Sequence, residues 1–235
     1  MSLRNRIVRR WNLFRLSPVA HRMRREGLTY LRPGKLVRIE TALRRLRQRR
    51  VPGDYLEFGV ALGGTAALVA QAARRADTRF VGLDVFATIP PPTSQHDDAK
   101  SRERYAVIAA GDATGIGGEV YYGYRDDLLG HVGQVLASVD APVDGRQIRL
   151  AKGLFEETWP TLDVERVAFA HIDCDWHDPV LYCLNAVAPK LSEDGVIVID
   201  DYHDYPGCRT AVDTFLEQNR GFRMVPGANP LIERR

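Results

Sequence analysis

Cysteine is scarce in this 235-residue chain: there are three, and no two of them form a CxxC pair. Cys174, Cys183 and Cys208 are odd in number and widely spaced, which argues against a disulfide framework or a zinc knuckle and leaves them as reduced, structural residues. Long apolar runs are missing as well, since no stretch approaches the roughly 20 apolar residues that a bilayer crossing needs. Arg4, Arg6, Arg9, Arg10 and Arg15 interrupt every candidate leader core, so no secretory signal is expected and the cytoplasm is the expected address. Internal repeats are absent. What is present, 45% hydrophobic and 27% charged residues, is the balance of an ordinary globular protein. The length suits one large α/β domain with appendages and is too short for two independent cores.

The net charge of +3 hides an asymmetry. Residues 1–50 carry sixteen Lys or Arg against two acids, Glu26 and Glu40, which leaves seventeen bases and twenty-eight acids for the rest of the chain. A basic arm and an acidic body should attract one another. The arm, residues 1–52, is therefore expected to be helical and to serve packing or the contacts of a homodimer, with weak peripheral membrane contact as a lesser role. Nucleic acid is not an expected partner, because the arm carries no recognised binding motif and few aromatics.

Leu36, Val37, Ile39, Leu43 and Leu46 recur at helical spacing and predict a helix over 36–50, which Val51-Pro52-Gly53 ends. Beyond it, short apolar runs alternate with helical patterns, the signature of a parallel sheet with crossover helices. The strands are expected at 54–58, 79–84, 147–151, 167–173, 196–200, 222–225 and 231–234, with helices at 65–75, 178–191 and 208–218. Residues 86–125, with three consecutive prolines at 90–92 and Tyr121, Tyr122 and Tyr124, make a connection far longer than usual and are expected to form a lid or binding loop.

Three features carry chemistry. In the first, Glu57-Phe58-Gly59-Val60-Ala61-Leu62-Gly63-Gly64-Thr65 lies where a strand turns into a helix, and its glycines allow close approach of a ligand to the backbone. The pattern is E-x-G-x-x-x-G rather than G-x-G-x-x-G. A carboxylate at Glu57 repels a pyrophosphate and suits a cationic ligand without phosphates, such as the amino acid and sulfonium portion of S-adenosylmethionine. The second feature is Asp84, twenty-five residues after Gly59 at the end of the next strand, where an acid holds the ribose of an adenosine cofactor or simply caps a turn. The third is a pair of acidic clusters, His171-Ile172-Asp173-Cys174-Asp175-Trp176-His177-Asp178 and Asp200-Asp201-Tyr202-His203-Asp204, each at the end of an apolar strand. In a parallel sheet both emerge at the carboxyl edge, where crowded carboxylates call for a cation. Oxygen donors favour Mg²⁺, with Mn²⁺ or Ca²⁺ as alternatives, and the expected ligands are Asp173, Asp200 and Asp201. His171, His177 and His203 flank the rim as candidate bases or orienting groups, and Cys174 is read as a small buried neighbour.

With these residues in view, the chain resembles the macrocin O-methyltransferase family of metal-dependent class I enzymes that methylate sugar hydroxyls. The resemblance runs from about residue 53 to 216 and rests on GDYLEFGVALGGT (53–65), RLAKGLFEETWP (149–160), HIDCDWHDP (171–179) and PKLSEDGVIVIDDYHDYPGCRTAVDTF (189–215). It implies a Rossmann-like, mostly parallel seven-stranded sheet with helices on both faces, residues 53–235 forming the methyltransferase domain. It also implies that Glu57, Gly59 and Gly63 line the methionine end of the cofactor, with Phe58 and Thr65 among its further binding residues, that Asp84 holds its ribose, and that Lys152 and Gly153 form a cofactor-side turn. Asp173 would be both metal ligand and general base, with His171 and His203 as further catalytic candidates. Trp176-His177-Asp178 departs from the family pattern; Tyr121, Tyr122, Tyr124 and Trp176 are candidates to stack on a sugar. The expected acceptor is a small-molecule glycoside, a natural product or a glycan. Rival readings are a catechol-type O-methyltransferase, a nucleotide-binding oxidoreductase, which Glu57 disfavours, and a non-catalytic adaptor.

Overall fold

The computed structural model describes residues 3–235. Three helices open the chain, α1 (Leu3–Arg15), α2 (Pro18–Arg25) and α3 (Pro33–Arg49), followed by β1 (Asp54–Phe58), α4 (Gly64–Arg75) and β2 (Phe80–Asp84). The long connection holds α5 (Ala99–Ala109) and leads into α6 (Leu128–Ala137) and β3 (Ile148–Lys152). Then come the short α7 (Phe155–Thr158), β4 (Val167–Ile172), α8 (His177–Val187), β5 (Leu191–Ile199), α9 (Pro206–Gln218), β6 (Phe222–Val225) and β7 (Leu231–Arg234).

The sheet order is β3-β2-β1-β4-β5-β7-β6, with β7 antiparallel to both of its neighbours and the remaining pairs parallel. Every residue of β1, β2 and β4 is buried, as a sheet covered on both faces requires. Alternation divides the core accordingly. Tyr55 and Phe169, paired across β1 and β4, face α3 and α4, whereas Leu56, Phe58 and Ile172 face α8 and α9. This is the mostly parallel, seven-stranded, helix-covered sheet that the resemblance implies. The strand order reverses between β1 and β4, so the carboxyl ends of β1, β2, β4 and β5 surround one crevice.

Local chemistry sets the helix starts. Ser17 Oγ accepts from Ala20 N at 3.1 Å, Asp98 Oδ1 from Ser101 N at 2.9 Å and Asp127 Oδ1 from Gly130 N at 2.8 Å, so α2, α5 and α6 each begin at a side-chain cap. Helix α6 was not among the sequence expectations, although Leu128, Val132, Val135 and Leu136 bury one face at i, i+4, i+7 and i+8.

The basic arm packs into the body. Met23, Leu36, Ile39 and Leu46 are fully buried in the same cluster as Tyr55 and Phe169. Ion pairs join α3 to the second half of the chain: Lys35 to Asp200 and Asp204, Arg45 to Glu233, and Arg49 to Asp194. The 86–125 segment is equally anchored. Trp176 Nε1 donates to the Pro90 carbonyl at 2.9 Å, His177 N to Asp97 Oδ1 at 2.9 Å, and Thr93 Oγ1 to Asp178 Oδ2 at 3.1 Å. Trp176-His177-Asp178, the stretch that departs from the family pattern, thus fastens this insertion to the tip of β4.

Candidate active site

A cleft of about 840 Å³ opens at the carboxyl edge of the sheet. Its floor is the turn after β1, where Gly59 adopts φ +88°, and a Cβ there would lie 1.8 Å from the Asp173 carbonyl oxygen. Gly59 therefore lets the loop after β4 pass directly over the end of β1, and Asp173 N closes that crossing by donating to Phe58 O at 2.9 Å. Asp84 ties the same turn together. Its Oδ2 accepts from Val60 N at 2.7 Å and Ala61 N at 3.0 Å, and its Oδ1 from Phe86 N at 2.7 Å, so the carboxylate both caps the turn and lines the cleft.

The two acidic clusters meet. One carboxylate oxygen from each of Asp173, Asp200 and Asp201 lies within 4.8 Å of the others. Asp200 N donates to Ile172 O at 3.0 Å and Asp175 N to Asp201 Oδ2 at 3.2 Å, so adjacent strand tips hold the set together. Burial and the neighbouring carboxylates push Asp173 and Asp201 well above the ordinary carboxylate range. Asp175, in a left-handed conformation at φ +60°, is raised to about 7 by burial and by Asp200. Burial also acts upward on Asp200, but His171 and Lys35 outweigh it and hold this carboxyl below its usual value. Three oxygen donors at this spacing, with Asp200 Oδ1 buried and lacking a hydrogen-bond partner among the described residues, suit a hard divalent cation.

The remaining expected site residues divide. Gly153 lines the cleft beside Gly59, Asp84, Asp173, Asp200 and Asp201. Gly63 and Thr65, with Gly64 between them, do not. Gly64 N donates to Leu28 O at 3.0 Å, Thr65 Oγ1 lies 3.3 Å from Thr29 Oγ1, and a Cβ on Gly63 would press on Val132, so this end of the glycine run is packed beneath α6 and the α2–α3 turn. Phe58 is buried against Phe155 and Trp159, and Lys152 is exposed at the end of β3. Glu57 is wholly buried, with Oε1 accepting from His171 Nδ1 at 2.8 Å. The two histidines expected as bases are not placed for that role: His171 is sealed under the cleft, and His203, exposed on the rim, donates through Nε2 to the Gly227 carbonyl at 3.0 Å.

Sequence reasoning passed over several residues of the cleft. Lys35 Nζ reaches Asp200 Oδ2 at 2.6 Å, Asp204 Oδ2 at 2.8 Å and Asp200 O at 2.9 Å. The signal for it was the opposition of charge between arm and body. Tyr30, Arg104 and Tyr205 complete the walls, with Arg104 over the Tyr121 ring and Lys100 over that of Tyr205.

This crowding predicts a pH effect on stability in the absence of divalent metal. Carboxyls raised on folding bind protons more tightly in the native state, so stability falls as pH climbs from the unfolded value near 3.9 through the native one, about 7 for Asp175. His171 acts in the same direction. Burial lowers it, but the neighbouring Asp200 carboxylate and the bond to Glu57 raise it to about 10, and its stabilisation, complete below about 6.5, fades as pH rises. Thermal melts in EDTA should give a Tm that declines from pH 5 to pH 8, and a Tm rising over that range would contradict the compressed-carboxylate description.

Comparison with known proteins fits this geometry. The chain is 29% identical over 174 residues to demethyldecarbamoylnovobiocin O-methyltransferase of Streptomyces niveus, covering 70% of this chain and 58% of that protein. It is 27% identical over 190 residues to mycinamicin III 3''-O-methyltransferase of Micromonospora griseorubida, covering 77% of this chain and 65% of that protein. The chain thus spans less than two thirds of these relatives. Among solved structures, the O-methyltransferase NovP superposes with a TM-score of 0.67 at 24% identity, over 84% of this chain and 78% of that one. The family model for macrocin-O-methyltransferase matches residues 20–111 and 137–223, which include the glycine turn, Asp84 and both acidic strand tips, and the chain belongs to that family.

Proposed function

We propose that this protein is an S-adenosylmethionine-dependent O-methyltransferase acting on a sugar hydroxyl of a glycoside, glycan or other natural product, with a divalent cation held by Asp173, Asp200 and Asp201. The observation that carries the reading is the convergence of those three carboxylates within 4.8 Å, in a cleft that starts at the glycine turn after β1. Family membership supports methyl transfer and the donor.

The donor would lie along Gly59, Asp84 and Gly153, with its ribose toward Asp84, whose oxygens keep acceptor capacity beside their backbone bonds. A bound cation supplies Lewis acidity that makes the acceptor hydroxyl easier to deprotonate and offsets the carboxylate charge. Proton removal falls to Asp175. It lines the cleft beside the three converging carboxylates without being one of them, so it takes the proton while Asp173, the base expected from the sequence, serves as a ligand. Tyr30 and Tyr205 offer apolar walls for a sugar face, whereas Tyr121 and Trp176, expected from the sequence to stack on a sugar, are buried, Trp176 fastening the insertion at Pro90. Alignment of donor and acceptor contributes up to about 7–11 kcal/mol in well-oriented systems.

Thermal-shift titration is the first test. S-adenosylhomocysteine should stabilise the protein, by about 2.7 kcal/mol at a hundred times its Kd, and NADH should not. A panel of glycosides and catechols with labelled donor then separates acceptor classes. Stabilisation by NADH alone, or methylation confined to catechols, would overturn the reading.

A further inference from the structure

One buried ionisable group has no part in the chemistry above. His171 is the penultimate residue of β4, opposite Glu57 of β1 and Val198 of β5, and is completely inaccessible to solvent. Its neighbours along the strand, Ala170 and Ile172, are apolar core residues. Replacing a buried ion pair with packed hydrophobic side chains is often neutral or stabilising, so the fold alone gives little reason for a Glu–His pair here.

The geometry gives another reason. Nδ1 of His171 is 2.8 Å from Glu57 Oε1, which fixes the plane of the ring, and the opposite nitrogen, Nε2, faces Asp200 Oδ1 at 3.7 Å. Glu57, His171 and Asp200 thus form a chain across β1, β4 and the tip of β5. Lys35 engages the other oxygen of Asp200. Glu57 Oε2, His171 Nε2 and Asp200 Oδ1 are all buried without a hydrogen-bond partner among the described residues, so the chain holds unspent polar capacity beside the acidic cluster.

We propose that His171 is a positioning residue that directs the Asp200 carboxylate toward the cation site, with Glu57 fixing the imidazole from behind. The proposal rests on the reading of Asp173, Asp200 and Asp201 as metal ligands. Groups that orient a ligating carboxylate typically change metal affinity by about 10–100-fold when they are removed.

Two amide substitutions separate the two ends of the chain. The shorter His171→Asn places its amide near the Nδ1 position, where it keeps Glu57 paired but falls short of Asp200. The longer His171→Gln places its amide near Nε2 and retains the reach to Asp200. Mn²⁺ is the probe, titrated into the full-length protein and followed by the resonance signal of the free ion, with circular dichroism and S-adenosylhomocysteine binding as controls for folding. The expected result is an affinity lower by about 10–100-fold in His171→Asn and within about threefold of wild type in His171→Gln. Equal affinities in wild type and a folded His171→Asn protein would overturn the positioning role while leaving the metal site in place. Absence of Mn²⁺ binding by the wild-type protein would remove the metal reading and this inference with it. If His171→Asn fails to fold, the decision passes to His171→Gln, where a loss of ten-fold or more overturns the proposal and retention near the wild-type value supports it.

Discussion

Asp173→Asn is expected to lower methyl transfer on the order of 10³-fold or more while raising the Tm of the metal-free protein. The two effects share one cause. The Asp173 side chain makes no hydrogen bond among the described residues, and burial together with Asp200 and Asp201 pushes its carboxyl well above the ordinary range. A neutral amide of the same shape removes that repulsion and stabilises the fold, and the same change deletes one of three converging donors. Lewis-acid assistance is worth several kcal/mol, and each 1.36 kcal/mol is a factor of about ten in rate, which gives the expected loss. Melts in EDTA, melts in Mg²⁺ and single-turnover methylation measure the three parts. The Mg²⁺-dependent gain in Tm should disappear in the variant. A variant that keeps wild-type turnover would remove Asp173 from the reaction.

Gly59→Ala should have the largest structural effect of any single methyl group at the site. The added carbon would sit 1.8 Å from a backbone oxygen of Asp173, and the residue is held at φ +88°, where an L side chain is strained by roughly 1–2 kcal/mol before any clash. Because the colliding atom is main chain, relief requires displacing the loop after β4, and a total loss of about 3–5 kcal/mol is expected, at the extreme of single substitutions. Affinity for S-adenosylhomocysteine and for Mn²⁺ should fall together, since the displaced loop carries Asp173. Unchanged Tm with unchanged affinities would show that the crossing of β1 and β4 is looser than these distances state.

The sheet was readable in the sequence because each strand is a short apolar run between turn residues, and expected and observed strands agree to within a residue except at β5, which starts five residues early at Leu191. The convergence of Asp173, Asp200 and Asp201 was readable for a topological reason: in parallel strands, residues at the chain's carboxyl ends share an edge. What lay hidden was set by contacts distant in sequence. Gly63 and Thr65 look like cofactor residues in a linear motif, and only the placement of Val132 against Gly63 and of Thr29 against Thr65 shows that their space is filled. His171 reads as a rim residue beside Asp173, but it still lies within β4, paired with Glu57 in a part of the sheet that is covered on both faces. Lys35 is the only lysine among the arm's sixteen basic residues, and its position in the sequence does not show that it reaches Asp200.

The bond from Lys35 to Asp200 closes a loop of 165 residues, and β7 must insert between β5 and β6 before the sheet is complete. Contacts so remote along the chain form late, after the entropy of the long closure has been met. A polypeptide still emerging from the ribosome therefore holds the glycine turn well before it holds the acids that answer it. Premature termination anywhere ahead of the final strands should yield an inert product rather than a weakened one.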